Sequence, residues 1–580
     1  MSSPSSPAPN KLFYGDNLQV LREHIADESV DLIYLDPPFN SKRDYNLLFK
    51  TPKKPAKATS LSTSGKTALT AEEPEADSPY SDAQITAFED TWHWNPTAER
   101  EFSEILKSGN TDVAELMQAL RAFLKENDML AYLTMMCNRL LELHRVLQPT
   151  GSLYLHCDPT ASHYLKLVLD GVFGKEAYQN EIIWKRTTTH SDSKTWSRVN
   201  DTILFYTKGS KFTWNTPHEA HSDEYIADKY RNDDQDGRGL YQLDNMTSPN
   251  PRPNMMYEWK GFPYPDKGWR YELETMKRLD SEARIWYPTL SDGSHDTNKR
   301  PRLKRYLEEM KGGVMGTVWS DISPINSQAD ERMGYPTQKP VALLERIIGA
   351  SSNEGDLVLD PFCGCGTAVH AAEKLGRRWI GIDITHLSIG LIERRMKDAF
   401  PALREKGAFE VIGTPQDLGA ARDLSDRDKH QFQSWACMLV GAQMYKGGKK
   451  GADGGIDGLL WIEVGKNKTE KVIVQVKGGV HVTRANIATL KGDVDREKAA
   501  IGLFITLAEP TREMVKEAAA AGHFESPHHG AFAKIQILTI DGLLSGKQRP
   551  QFPDLSRGEQ TFKKAKKEKK GDEKKQLGLL

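Results

Sequence analysis

The chain has 580 residues, of which 38% are hydrophobic and 27% charged, and its net charge is −2. That length predicts two to four domains, and five cysteines are too few for a disulfide framework. The sequence has neither an apolar run of about 18 residues nor a basic-then-apolar N-terminus, so we expect a cytoplasmic protein with no membrane span.

After a flexible N-terminus at residues 1–10, residues 11–208 show an α/β pattern. The apolar run Val30 to Leu35 predicts a buried parallel strand that ends at Asp36. Residues 51–84 are dominated by Pro, Ser, Thr, Lys, Ala and Glu, which predicts a disordered insertion. The other elements predicted here are helices at 18–24, 130–147 and 161–169 and strands at 151–156, 181–185 and 202–206.

Residues 209–316 are rich in Asn, Asp, Pro, Trp and Tyr and have weak periodicity, which predicts a separate, loop-rich region. The basic run Lys299 to Arg305 within it is either a phosphate contact or a solvated helix face. Residues 317–400 return to alternation, with a helix at 341–348, a strand at 356–359, a helix at 368–375 and a strand at 379–382. This order predicts a parallel sheet.

The rest of the chain divides into three stretches. Residues 401–427 read as a linker, and residues 428–546 as a second α/β unit with strands near 459–463, 472–476, 502–506 and 535–540. Residues 547–580 form a charged tail, which we expect to be disordered.

A glycine loop follows the predicted strand that ends at Asp360. Gly364 and Gly366 suit close approach of a ligand to the backbone, and ligands bind at the carboxyl ends of strands in open α/β sheets. Asp383 ends the next strand and could accept hydrogen bonds from ribose hydroxyls. A nicotinamide oxidoreductase would use the same features, but the third glycine of its pattern is missing here.

A second loop, Asp36-Pro37-Pro38-Phe39, also follows a strand. An aromatic amine is a poor nucleophile because its lone pair is delocalised. The Asp36 carboxylate and the Pro37 carbonyl could each accept one N–H of such an amine, and the prolines would stiffen the loop. Phe39 could stack on a base drawn out of the duplex. Asp158-Pro159 follows another strand, and we assign it no role.

The two loops in this order resemble the amino-methylating DNA methyltransferases of the β arrangement, in which the catalytic motif precedes the target-recognition region and the cofactor motif follows it. The resemblance covers about residues 11–400 apart from the insertion. It implies a permuted, Rossmann-like methyltransferase sheet that binds S-adenosylmethionine and methylates double-stranded DNA at specific sites, with residues 209–316 as the target-recognition region and 317–400 as the cofactor-binding part. A homodimer is a further expectation.

The resemblance also assigns site residues. The catalytic residues it implies are Asp36, Pro37, Pro38 and Phe39. The cofactor-binding residues it implies are Asp16, Lys339, Asp360, Phe362, Cys363, Gly364, Gly366, Thr367 and Asp383.

The catalytic motif favours adenine over cytosine as the target base but does not decide between them. Asp-Pro-Pro-Phe favours adenine N6, whereas members of the group that methylate cytosine N4 usually carry Ser-Pro-Pro-Tyr, and an aspartate does not physically exclude cytosine. Methylation of carbon 5 needs a cysteine in a Pro-Cys loop, which this chain lacks. Cys363 and Cys365 have no second pair nearby and make a poor zinc site, so we interpret them as loop residues.

The C-terminal unit resembles the Mrr-like branch of restriction-endonuclease-type nucleases, which have a PD-(D/E)xK-like fold. Asp457 precedes one strand, and Gln475 and Lys477 share a face of the next. The resemblance implies that Asp457 and Gln475 hold Mg²⁺ and that Lys477 acts on water or phosphate. Such branches often have an acidic residue in the opening helix, and here Gln431-Phe432-Gln433 occupies that place. A nuclease-like domain that binds DNA without cutting it is the alternative.

Overall fold

The structure is a computed structural model. It describes residues 9–38, 44–52, 80–89, 92–189, 194–326, 329, 331–333, 335, 337–405, 407–445, 455–465, 468–526, 530–553 and 565–568. Within these residues no helix has the length and apolar character that a bilayer span requires. By contacts between Cα atoms the chain divides into two compact units, Met1–Asn215 with Thr317–Gly571, and Thr216–Gly316.

The strands and helices of the described residues follow in chain order. The strands are β1 (Asn10–Tyr14), β2 (Val30–Leu35), β3 (Asp44–Pro52), β4 (Tyr80–Glu89), β5 (Leu147–Cys157), β6 (Tyr178–Lys185), β7 (Asn200–Thr207), β8 (His218–Glu219), β9 (Tyr241–Asn245), β10 (Ile285–Trp286), β11 (Arg302–Tyr306), β12 (Gly313–Val314), β13 (Val318–Trp319), β14 (Leu357–Asp360), β15 (Arg378–Asp383), β16 (Phe409–Ile412), β17 (Gln443–Met444), β18 (Gly458–Gly465), β19 (Lys468–Lys477), β20 (Ile501–Thr506), β21 (His523–Ser526), β22 (Gly530–Ala533) and β23 (Ile535–Thr539). The helices are α1 (Asn17–His24), α2 (Pro96–Leu106), α3 (Thr111–Leu124), α4 (Asp128–Val146), α5 (Ser162–Phe173), α6 (Asp223–Lys229), α7 (Leu273–Ser281), α8 (Val341–Ser351), α9 (Thr367–Lys374), α10 (His386–Ala399), α11 (Leu418–Arg427), α12 (Lys429–Leu439), α13 (Arg484–Arg496), α14 (Arg512–Ala519) and α15 (Ile540–Leu544).

A nine-stranded sheet forms the centre of the first unit, in the order β13-β6-β7-β5-β2-β14-β15-β1-β16. Strand β7 runs antiparallel to both neighbours, and the other pairs are parallel. Helices cover both faces, so the central strands are apolar on both sides. In β2, Leu32 and Tyr34 belong to one hydrophobic cluster and Ile33 and Leu35 to the other.

The middle of this sheet explains how distant residues come together. Strands β2 and β14 are neighbours, and Ile33 pairs with Leu359. The chain continues from β2 towards β5 on one side and from β14 towards β15 on the other. Ligands bind at such a switch point, beyond the carboxyl ends of the strands. Asp36 and Asp360 therefore lie at the same edge of the sheet.

Two predicted irregular stretches contain regular structure. Residues 401–427 are not a linker, because β16 pairs with β1 at the sheet edge and α11 follows it. A four-residue strand is too short for periodicity to reveal. Disorder is also the wrong prediction for both ends of the insertion at residues 51–84. Residues 51–52 belong to β3 and residues 80–84 to β4, and these strands form an antiparallel pair. Residues 53–79 lie outside the described residues.

The C-terminal residues form a five-stranded sheet in the order β17-β18-β19-β20-β23. This sheet belongs to the same compact unit as the nine-stranded one. Helix α12 packs against α10, where a Cβ added to Gly390 would lie 2.2 Å from Met438 Cε. The tail also has order, because Glu568 N–H donates to the Ala399 carbonyl at 2.8 Å. Disorder was therefore the wrong prediction for residues 565–568, which the apolar contacts of Ala565 help to place.

The second unit is built around an aromatic core and a small antiparallel sheet, β10-β11-β9. Trp259, Phe262 and Trp269 are buried in it. The basic run falls partly on β11 and not on a helix. Lys304 pairs with Asp234, and Arg305 Nε lies 2.6 Å from Asp244 Oδ2. Those two cations are therefore already neutralised within the unit.

Candidate active site

A cavity opens at the edge of the nine-stranded sheet, where β2, β14 and β15 end. Phe39 lies outside the described residues, and Gly366 is not among the residues that line the cavity. The other residues that the sequence assigned to catalysis or cofactor binding line it together: Asp16, Asp36, Pro37, Pro38, Lys339, Asp360, Phe362, Cys363, Gly364, Thr367 and Asp383.

Asp36 forms an ion pair with Lys339 in this cavity. Lys339 Nζ donates to Asp36 Oδ2 at 2.6 Å, and the exposed fractions of the lysine and aspartate side chains are 9% and 17%. The lysine precedes α8, on a segment that Gln338 ties to Met333 N–H. Because the ion pair is sheltered from water, it is screened less than a surface pair. This geometry places Lys339 on the Asp36 carboxylate, where the sequence had predicted a cofactor contact.

The glycine loop is shaped by backbone that only glycine adopts easily. Gly364 and Gly366 have φ of 53° and 77°. Gly364 N–H donates to Asp383 Oδ2 at 2.9 Å, which ties the loop to the end of β15. A Cβ added to Gly366 would lie 2.9 Å from Ile392 Cγ1. The loop therefore cannot take larger residues without moving, and it exposes backbone to the cavity.

Two further carboxyl groups border the cavity. Burial raises the pKa of Asp360 well above its ordinary value, although Phe362 N–H donates to Asp360 Oδ1 at 3.1 Å. Burial also raises the pKa of Asp383, against the hydrogen bonds from Thr385 and Gly364. A buried carboxylate is stabilised by a cation. The cavity is therefore suited electrostatically to a ligand that carries positive charge.

Sequence reasoning missed an arginine that organises one wall. Arg139 is 6% exposed, and it donates to Asp16 Oδ2 at 2.8 Å and to Asn17 Oδ1 at 2.6 Å. Asn17 Nδ2 in turn donates to the Pro361 carbonyl at 2.9 Å. The signal in the sequence was a charged residue on the apolar face of α4, since charged residues are seldom buried without a partner.

A buried hydrogen-bonded chain below the cavity was also missed. Tyr34, which lines the cavity, bonds His156 Nδ1 at 2.9 Å, and His156 Nε2 lies 3.0 Å from Asp201 Oδ2. Burial would raise the pKa of Asp201, but His156, Lys339 and Arg186 outweigh it and the pKa is lowered. An ionised Asp201 fixes the His156 ring, and the ring in turn fixes the Tyr34 hydroxyl.

The cysteines and the second Asp-Pro fit structural roles. Burial raises the pKa of the Cys363 and Cys365 thiols, and a Cβ added to Gly381 would lie 2.8 Å from Cys363 Sγ. No group of three metal-ligating side chains occurs among the described residues. Asp158 accepts from Thr160 N–H at 3.0 Å within its own turn, and it does not line the cavity.

The predicted site of the C-terminal sheet lies at the start of β18 and the end of β19. Asp457 accepts two hydrogen bonds, from Gln433 Nε2 at 2.9 Å and from Val476 N–H at 2.7 Å. Burial raises the pKa of Asp457 to about 6, and the nearby Lys477 ammonium opposes that rise. Gln475 donates to the Gly455 carbonyl at 3.0 Å. Asp457 and Lys477 are thus brought together, and Gln433 occupies the place of the missing acid.

Two family models match the chain. One, described as DNA methylase, matches residues 30–394, and the other, described as restriction endonuclease, matches residues 424–542. The first match alone covers more than half of the 580 residues. Both agree with the resemblances that the sequence motifs indicated, and the fold predicted for the chain is confirmed.

Individual relatives match shorter stretches. The type II methyltransferase M.EcaI of Enterobacter cloacae is 36% identical over 256 residues, which are 44% of this chain and 54% of that protein. The chain therefore spans about half the length of M.EcaI. The DNA adenine methyltransferase YhdJ of Escherichia coli strain K12 is 49% identical over 83 residues, 14% of this chain and 28% of that protein.

A solved structure from Thermus thermophilus, described as a DNA modification methylase complexed with S-adenosyl-L-methionine, is 15% identical with a TM-score of 0.30. The match covers 70% of this chain and 99% of that chain. This chain belongs to the DNA methylase family.

Proposed function

We propose that residues 11–400 form an S-adenosylmethionine-dependent, site-specific DNA methyltransferase that acts on an exocyclic amine, adenine N6. The observation that carries the proposal is the meeting of Asp36 and the Asp360–Thr367 loop in one cavity at the sheet's switch point. An amine acceptor and a cofactor loop at such a point are what methyl transfer to a flipped base requires.

The residues of the cavity fit the proposed cofactor. Gly364 leaves backbone open to it, Gly366 gives the loop its positive φ, and Asp16 and Asp383 offer carboxylate oxygens for its hydroxyl and amino groups. Bound S-adenosylmethionine supplies a methyl group on a cationic sulfur, whose charge would offset the buried carboxylates. The proposed contacts are Asp16, Lys339, Asp360, Phe362, Cys363, Gly364, Gly366, Thr367 and Asp383.

The proposed reaction uses Asp36 and Pro37 to prepare the amine. Asp36 Oδ2 is held by Lys339, and its Oδ1 would accept one N–H while the Pro37 carbonyl accepts the other. The nitrogen lone pair would then face the methyl group that bound S-adenosylmethionine would supply, with the bond electrons left on its sulfur. The Asp36 carboxylate would take the proton that the amine loses. Pro38 would stiffen the loop, and Phe39 would stack on the base.

Adenine is favoured by two facts. The catalytic loop is Asp-Pro-Pro-Phe, and YhdJ, with which the chain shares 49% identity over 83 residues, is named an adenine methyltransferase. Cytosine N4 is the alternative product. Residues 209–316 are proposed to read the target sequence on double-stranded DNA, and the endonuclease-like C-terminal residues favour a role in restriction and modification or in phage defence.

Transfer of a labelled methyl group to DNA tests the proposal. After digestion to nucleosides, mass spectrometry should find N6-methyladenine, whereas N4-methylcytosine would reverse the choice of base. Asp36→Ala should abolish transfer, because the amine loses its carboxylate acceptor. The matched control is Asp158→Ala, which removes the other strand-end Asp-Pro carboxylate and should leave transfer intact. Equal activity of Asp36→Ala and the unmodified protein would exclude the assigned loop.

Residues 428–546 are proposed to be a Mg²⁺-dependent endonuclease with Asp457, Gln475 and Lys477 at its site. One observation favours cleavage over simple DNA binding. The half-buried Asp457 carboxyl group and the Lys477 ammonium lie at the ends of adjacent strands and interact electrostatically. Mg²⁺-dependent nicking or cutting of methylated or unmethylated DNA should vanish in Lys477→Ala. If no DNA is cut under any condition, the module only binds DNA.

A further inference from the structure

Two buried oxygen atoms beside the C-terminal site have no hydrogen-bond donor within the described part of the chain. They are Gln475 Oε1 on β19 and Asp493 Oδ2 on α13. Both residues are only 3% exposed. Leaving a buried acceptor unpaired is costly, and more so for a carboxylate. The absence of a donor at these two atoms indicates that something outside the described residues satisfies them.

The two side chains meet at one glycine. A Cβ built on Gly455 would lie 2.9 Å from Gln475 Nε2 and 3.9 Å from Asp493 Oδ2. Gly455 has a φ of 81°, and Asp457 follows two residues later. The bare backbone at Gly455 therefore lets Gln475 and Asp493 approach the loop that delivers Asp457.

The remaining contacts of Asp493 leave one oxygen available. Arg496 NH1 lies 2.7 Å from Asp493 Oδ1, one turn further along α13. Burial raises the pKa of Asp493, and Glu497 adds to that rise while Arg496 opposes it. The group thus has less positive charge around it than its burial calls for.

A divalent cation is the ligand that matches these atoms. Mg²⁺ takes oxygen ligands and is usually held by one or two carboxylates, with waters completing its shell. In this chain helix α12, the first helix of the C-terminal module, offers Gln433 instead of an acid, and both Asp457 oxygens accept hydrogen bonds. We propose that Asp493, from α13, is the acidic residue with which the C-terminal site holds its divalent cation, next to Gln475. This inference rests on the proposed nuclease function of that site.

The test is binding of Mn²⁺, as a probe for Mg²⁺, to the full-length chain, followed by calorimetry and by electron paramagnetic resonance. Asp493→Asn should weaken binding at the C-terminal site at least tenfold. The matched control is Asp495→Asn on the same helix, whose carboxylate is 58% exposed and pairs with Lys534 at 2.9 Å. That variant should bind Mn²⁺ within about twofold of the unmodified chain, because an exposed ion pair contributes little.

Melting without metal guards against a folding defect. Asp493→Asn should melt at or above the temperature of the unmodified chain, since a buried charge is removed. Mn²⁺ should raise the melting temperature of the unmodified chain and of Asp495→Asn, but not that of Asp493→Asn. Unchanged Mn²⁺ affinity in Asp493→Asn would overturn the inference. It would also be overturned if neither the unmodified chain nor Asp493→Asn bound Mn²⁺, and the two oxygens would then be assigned to buried water.

Cleavage assays separate this inference from the nuclease proposal. If DNA is cut and Asp457→Ala prevents it while Asp493→Asn still binds Mn²⁺ and cuts, the nuclease stands and the role of Asp493 falls. If Asp493→Asn loses Mn²⁺ but the unmodified chain never cuts DNA, the metal site stands and the nuclease falls.

Discussion

The cavity of the large sheet and the C-terminal site are both built from carboxyl groups at strand ends, but they are completed differently. In the cavity, Asp36 already has an ammonium partner, and Asp16 has a guanidinium. In the C-terminal site, Asp457 accepts only neutral donors, and Asp493 Oδ2 has no donor among the described residues. In the first site, Asp36 and Asp16 are charge-balanced by the protein's own side chains, whereas the acidic groups of the second site depend on something added.

This difference shows how each site would be activated. A cavity whose acceptors are already oriented needs only substrate and cofactor to enter. In the C-terminal site, the raised pKa of Asp457 means that a cation is needed to favour its ionised form. The following predictions test this comparison.

The largest effect is expected for Lys339→Met. Loss of the ammonium leaves Asp36 free to rotate away from the amine, and a misplacement of about 1 Å costs on the order of 100-fold in rate. We expect kcat for methyl transfer to fall by about that factor, with the Kd for S-adenosylmethionine within about twofold. Lys374→Met, which removes an ion pair with Glu345 outside the cavity, is the control. A raised Kd with unchanged kcat would return Lys339 to the cofactor, as the sequence predicted.

Asp457→Asn tests the desolvated carboxyl group of the C-terminal site. The raised pKa of about 6 means that the folded protein disfavours the ionised carboxylate, so this group lowers stability as the pH rises from its ordinary value of 3.8 through 6. From pH 4.5 to pH 7.5, the free energy of unfolding of Asp457→Asn should rise by about 2 kcal/mol relative to that of the unmodified chain. Denaturant unfolding in EDTA at the two pH values measures this. A difference that does not depend on pH would mean that Asp457 is not desolvated.

Arg139→Met should have a smaller effect, on cofactor binding. The variant removes the donors to Asp16 and Asn17, so the wall of the cavity loses its anchor to Pro361. We expect the Kd for S-adenosylmethionine to rise about tenfold, as for loss of a hydrogen bond to a charged group. Arg145→Met, on the same helix but bonded to Glu142 and Leu21, should bind the cofactor normally.

The smallest effect on methyl transfer is expected from metal chelators. The buried thiols of Cys363 and Cys365 have raised pKa values and no further ligands among the described residues. Zinc chelators and EDTA should therefore leave methyl transfer within about twofold, while EDTA should abolish any DNA cleavage. Loss of methyl transfer on chelation would contradict the interpretation of these cysteines as loop residues.

The sequence predicted those parts of the fold and site that depend on local patterns. The apolar run of β2 and the glycines before α9 placed both loops at strand ends, because buried parallel strands and positive φ leave clear local signals. Strand β16 and the β3–β4 pair left no such signal. They depend on partners that the local sequence does not reveal, as pairing with β1 at the sheet edge illustrates.

Contacts between residues that are distant in the chain also could not be predicted from the sequence. The Lys339–Asp36 pair, the Arg139–Asp16 pair and the Tyr34–His156–Asp201 chain each join segments far apart in the sequence. The sequence identifies each of these residues as a polar or charged group. It does not show which of them are in contact, because that depends on the order of the strands in the sheet. The role of Asp493 is an extreme case, since no motif pointed to it.

The packing of α12 on α10 limits how the protein can be divided. Ile392 and Met396 of α10 are fully buried in a cluster that also contains Phe432 and Trp435 of α12. A methyltransferase fragment that ends near residue 405 would expose this apolar surface to water, with a tendency to aggregate. A chimera that exchanges the endonuclease-like module should therefore be joined after α12, so that the helix stays with the surface on which it folds.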